Sequence, residues 1–152
     1  MLALQAKEDS FPFASKFIPI HPNIRVVLGS QETSSGQTAG SRNATSTNGW
    51  FAALPPRNGQ GPLVSPIPLS PNHAEIWSRN GQIYVRDLES AFGTYVNGIR
   101  VNGTVALKNN DTLCLGAKIV RNANTPAYVT DEHLRPIVAK VTCLGVPSRP
   151  NN

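Results

Sequence analysis

At 152 residues with a net charge of +5, the chain has the mass for one domain with a buried core. Glycine and proline are abundant, at 12 and 13, while charged residues make up only 15%; this favours many strands joined by turns over long helices or a charged disordered chain. No basic cluster or basic helix accompanies the positive charge, which argues against nucleic acid as a partner, and no run nears the roughly 20 apolar residues of a membrane span.

Residues 1–15 are mixed and interrupted by proline. They read as a loose lead-in to a domain over 16–146, with 147–152 a tail. The apolar run at the start is too short for a secretory leader, so a cytoplasmic or nuclear protein is expected. Phe17–Ile20 suits an edge strand, where Pro19 forfeits no ladder bond. Ile24–Leu28 is β-branched and apolar, a central strand ending at the loop face with Gly29 and Ser30. From 31 to 65 the composition turns to Ser, Thr, Asn, Gly and Pro. A stretch that long inside a compact domain is functional or unstructured. Residues 32–47 and 55–62 are therefore expected to be mobile, with Trp50 and Phe51 pinning the middle to the core.

Ala74, Ile76, Ile83 and Val85 then alternate with polar neighbours, the period of half-buried strands. Asn80-Gly81 between them is a hairpin turn, since both residues tolerate positive φ. Thr94–Val96, the turn Asn97-Gly98, and Ile99–Val101 continue the meander. Val105–Leu107, Thr112–Gly116, a short strand around Tyr128, and Pro136–Leu144 complete an all-β chain. The two cysteines, Cys114 and Cys143, lie in apolar strand runs and read as reduced core thiols, with a disulfide left open. His21 and His133 are isolated and read as solvent-facing. Zinc spacing, a nucleophile elbow, a phosphate loop and a dinucleotide fingerprint are all absent from the sequence. Glu75 should point outward and Asp87 and Glu89 sit at a turn, so no acid–base pair forms. No metal, cofactor or catalytic residue is assigned.

Ser70-Pro-Asn-His73, Asp87 at a strand end, Ser90-Ala-Phe-Gly-Thr94 and Val96-Asn-Gly98 together resemble the forkhead-associated (FHA) domain. The likeness runs from about Ile18 to Leu144. It implies an antiparallel β-sandwich with one long loop insertion, acting without catalysis as a protein-interaction module. In that family the loops at one end of the sandwich read a phosphothreonine in a partner protein. Carried over residue by residue, the resemblance assigns phosphopeptide contact to Ser70, Ser30, Asn72, Ser90, Ala91 and Phe92. It gives Gly29, His73, Gly93, Thr94 and Asn97 the task of shaping the site, His73 from a buried position. His-Ala-Glu-Ile-Trp77 and Gly-Gln-Ile-Tyr-Val-Arg-Asp87 are similar to a narrower subgroup, that of the sarcolemma-associated protein of animals and its fungal far/vacuolar-sorting relatives. That subgroup works in kinase–phosphatase signalling scaffolds. Its members continue into coiled coils and a membrane anchor; whether this chain is a fragment of such a protein stays open, as does its oligomeric state.

Two positions depart from the family pattern. A phosphate with close to two negative charges is best met by an arginine fork, and the family's arginine position is Ser30 here. The polar pair that contacts the peptide backbone is replaced by Ala91-Phe92. Arg42, in the long loop, is the candidate substitute cation. The alternative is a degenerate FHA domain that binds its partner independently of phosphate.

Overall fold

The structure, a computed structural model, describes residues 1–30, 43–59, 61 and 63–144. Among the described residues, eleven strands form two sheets. The first sheet contains β1 (Leu2–Ala6), β2 (Lys16–Ile18), β7 (Thr94–Val96), β8 (Ile99–Arg100), β10 (Thr112–Leu115) and β11 (Ile137–Cys143), in the order β2-β1-β11-β10-β7-β8. The second contains β3 (Val26–Ser30), β4 (Trp50–Phe51), β5 (Ala74–Arg79), β6 (Gln82–Asp87) and β9 (Thr104–Leu107), in the order β4-β3-β5-β6-β9. The helical content of the described residues is one 3-10 turn at Glu132–Leu134.

Alternation writes the core. Ala74 and Ile76 of β5 and Ile83 and Val85 of β6 point inward from one sheet, while Leu113, Leu115, Ile137, Ala139 and Val141 meet them from the other. Asn80 (φ 54°) and Gly81 (φ 79°) make the two-residue turn joining β5 to β6, and Asn97 (φ 52°) and Gly98 (φ 82°) do the same for β7 and β8. Positive φ at both turn residues matches the right-handed twist of the flanking strands, which is why Asn-Gly sits there.

Three expectations need correction. The first residues are not a loose lead-in: Leu2–Ala6 pair antiparallel with β11 along their whole length, because Leu2 and Leu4 supply core surface. Phe11, behind Pro12, is also fully buried. The expected all-β sandwich is present, with one short parallel pair in it, β3 and β4, where Gly29 lies opposite Trp50 and Ser30 opposite Phe51. No strand forms around Tyr128; a turn closed by Val129 N–H on the Pro126 carbonyl takes its place. His133 is not solvent-facing but wholly buried: its Nδ1 accepts the Thr130 amide at 2.9 Å and its Nε2 approaches the Leu54 carbonyl at 3.4 Å.

Within the inserted stretch, Phe51 is buried and Leu54 bridges to Val64, so the pinning expected of Trp50-Phe51 is present. Residues 55–59 are tied down as well, through the Arg57 amide on the Tyr128 carbonyl and its guanidinium on the Ala127 and Val129 carbonyls. The expected mobility of 32–47 falls largely outside the described residues, as does the 147–152 tail. The cysteines are both free and half-buried.

Candidate functional site: the loop cluster at one end of the sandwich

Four segments converge at one end: the end of β3, the turn before β5, the connection from β6 to β7, and the end of β10. His73 joins them. Its ring is wholly buried. Its Nδ1 accepts the Ser70 amide at 3.0 Å, and its Nε2–H donates to the Gly93 carbonyl at 2.8 Å, which fixes the tautomer. Its own amide bonds the Leu28 carbonyl and its carbonyl takes the Leu88 amide, so one residue ties β3 and both recognition loops together. Burial pushes the imidazole below its ordinary pKa, against the opposing pull of the Gly93 bond and the Asp87 charge.

Asp87 organises the second loop. Its carboxylate accepts the Ser90 hydroxyl and the Thr94 hydroxyl, each at 2.6 Å, and the Ser90 amide at 3.0 Å. Burial raises its pKa, but the hydroxyl and amide donors outweigh this and leave it below the ordinary carboxylate value. The Ser90 hydroxyl also accepts the Gly93 amide at 2.9 Å. Ser90 and Thr94 are thus spent on shaping the loop, and Ser90 is not placed to face a ligand. Asp87 was not among the residues assigned from sequence. Its three-residue spacing to Ser90 is the pattern of a carboxylate-closed turn, and that signal could have found it.

Ser70 is half-buried on the rim; its hydroxyl oxygen accepts the Ala91 amide at 3.1 Å, which leaves its own proton free for a ligand. Ala91 and Phe92 are exposed beside it, Phe92 by 38%, and Asn72 is exposed on the turn. Gly29 lies against that turn so tightly that a Cβ would stand 1.8 Å from the Pro71 carbonyl oxygen. Gly49 is packed the same way on the Val27 carbonyl, at 2.0 Å, and its own carbonyl takes the Gly29 amide.

Other assignments come out differently. Ser30 is not an exposed loop-face position: it is 7% accessible, covered by β4 on one side and bonded through its amide to the Ser70 carbonyl on the other. Asn97 stands at the opposite end of β7, where its side chain bonds the Asp111 carboxylate at 2.9 Å and the Thr112 amide at 2.8 Å. It fixes a distant turn and takes no part in the recognition end. Arg42 lies outside the described residues. A cation that sequence reading missed is Arg100. It is the cross-strand partner of Tyr95, its Nε stands 3.1 Å from where a Cβ on Gly93 would be, and it has no ion pair among the described residues. The Asn-Gly turn sets that pairing, so the register of the hairpin contained the signal.

This all-β scaffold, with a half-buried carboxylate and a buried imidazole holding two loops at one end, defines a loop-presenting interaction domain. The family model of the FHA domain matches residues 62–116. The chain is 38% identical over 80 residues to vacuolar protein sorting-associated protein 64 of Saccharomyces cerevisiae, a match covering 49% of this chain and 13% of that relative. Among solved structures it is similar to the FHA domain of CT664 protein from Chlamydia trachomatis, at 18% identity and a TM-score of 0.45, covering 76% of this chain and 86% of that one. The Nbs1–Ctp1 complex of S. pombe is similar at 18% identity and a TM-score of 0.46, covering 92% of this chain and 36% of that one. In the described residues no helix is long and apolar enough to cross a membrane.

Proposed function

We propose that this FHA domain recognises phosphothreonine in partner proteins, without catalysis, by docking the phosphate between Ser70 and the loop 90–94. The observation that carries this reading is the preorganised pair of loops. His73 and Asp87 hold Ser70 and the backbone of 91–93 in place, so a ligand meets donors that need no further ordering. The phosphate would accept the Ser70 hydroxyl proton, and Arg100, unpaired among the described residues, would swing over Gly93 to supply the missing guanidinium. The exposed Phe92 favours a second reading, in which the same loops bind a partner through apolar contact and need no phosphate.

Fluorescence anisotropy with a phosphothreonine peptide library and its unphosphorylated twin tests this. Phosphopeptides should bind more tightly, and Ser70→Ala and Arg100→Gln should each lose about ten-fold or more, the worth of one charged hydrogen bond. The preference should shrink as salt is added. Equal binding of both libraries would establish the phosphate-independent reading instead.

A further inference from the structure

Residues 12–16, the segment 44–46 and β4 line an open pocket of about 500 Å³. Its walls are mostly apolar: Phe13 meets Phe51 edge-on at 5.1 Å, and Trp50 and Leu54 stand with them, while Thr45 and Ser46 add a polar margin. Lys16 is the single titratable residue among those that line it. This lysine is 3% accessible, lies 5.0 Å over the Phe51 ring, and donates to the Thr45 carbonyl at 2.6 Å. Among the described residues no carboxylate pairs with it.

An ammonium carries three donors, and a buried charge is costly unless it is paired. Here one bond is made to a neutral carbonyl, while the surrounding walls are mostly hydrocarbon and hold no carboxylate. The volume falls within the range of small-molecule sites, which are mostly apolar with a few convergent polar groups. A cation sunk beneath the surface is reached by an anion carried on the end of a slim apolar body.

We propose that this pocket is a binding site for a small carboxylic acid with an aromatic or short aliphatic body, its carboxylate on Lys16 and its body against Phe13, Trp50 and Phe51. The site is independent of threonine reading and survives if that reading fails. Burial lowers the Lys16 pKa to about 8, so a bound carboxylate has a protonated partner at neutral pH and loses it above.

The test is a titration of the intact chain with 3-phenylpropionate and 3-phenylpropanol, followed by amide NMR shifts. The acid should bind with shifts centred on Phe13, Thr45 and Phe51, about ten-fold or more tightly than the alcohol. Lys16→Met should abolish that preference. Raising the pH through about 8 should weaken the acid and leave the alcohol unchanged; this arm needs only the parent chain and holds even if the variant fails to fold. Equal binding of acid and alcohol would overturn the proposal. So would a pH-independent preference, a preference retained in Lys16→Met, or no saturable shift with the acid up to about 10 mM, near the weak limit of specific binding.

Discussion

His73 Nε2–H and the Gly93 carbonyl, 20 residues apart in the chain, meet at 2.8 Å inside the protein. This bond links the turn that carries Ser70 to the loop that carries Phe92, and the opposite ring nitrogen is held by the Ser70 amide. Replacing His73 with Ala should cost about 1–3 kcal/mol, the penalty of leaving buried partners unpaired. The folded pKa lies below the ordinary 6.5, so between the two values the unfolded chain binds more protons. Stability from this residue is therefore complete above 6.5 and declines as the pH falls toward the folded value. Urea melts of the parent and His73→Gln on both sides of pH 6.5 should show the gap between them closing on acidification. A constant gap would mean that the ring is not the titrating anchor described.

Asp87→Ala should destabilise by about 2 kcal/mol, since the buried Thr94 hydroxyl, the half-buried Ser90 hydroxyl and the Ser90 amide lose one shared acceptor. Asp87→Asn keeps one carbonyl acceptor and should cost less. The sign for pH follows from the lowered carboxylate pKa: the contribution is present above about 3.8 and is lost as the medium falls below that value. Thermal melts of the three proteins order them directly, and an Asn variant as stable as the parent would remove the charge from the explanation.

How much of this was legible in the sequence depends on which force fixed each feature. The meander from Ala74 to Val101 was readable because alternation and Asn-Gly turns act locally. The buried, loop-ordering place of His73 was readable through family resemblance alone, as nothing in its neighbours signals it. β1 was missed because Leu2-Ala-Leu4 is too short to stand out, and its strand character comes from pairing with β11 far along the chain. Ser30 was misjudged for the same reason. Its burial is created by β4, which returns from the long insertion to run parallel beside it. Arg100 was hidden by sheet register, which carries it across to Gly93 although seven positions separate them.

Gly29→Ala should destabilise by about 1–3 kcal/mol, the usual range for forcing an atom into a filled space, and more if the loop cannot give. The clash is with backbone, the Pro71 carbonyl at 1.8 Å, so no side-chain rotation relieves it. Urea denaturation measures the cost, and NMR shifts at Ser70 and Ala91 should report the displaced turn. An alanine variant that matches the parent in both would show that the two segments are not in contact.

Lys16→Met should stabilise the domain at neutral pH by about 1–3 kcal/mol, since it removes a buried charge worth about 1.4 kcal/mol per pKa unit and keeps the apolar stem. Between the folded value of about 8 and the ordinary 10.5, the unfolded parent binds more protons, so parent stability rises with pH there. The advantage of the variant should shrink across that window. Melts at neutral and alkaline pH check both statements, and a variant less stable than the parent at neutral pH would show that the Thr45 bond outweighs desolvation.

The backbone contacts at Gly29 and Gly49 have a consequence for how binding can change over time. Where peptide rests on peptide, with the Pro71 and Val27 carbonyls standing where a Cβ would go, the outline of the recognition end is drawn by main-chain geometry. The side chains exposed around it are not part of that outline. Exposed side chains around those loops can be exchanged while the loops keep their spacing, so surface chemistry is free to drift on a frame that does not.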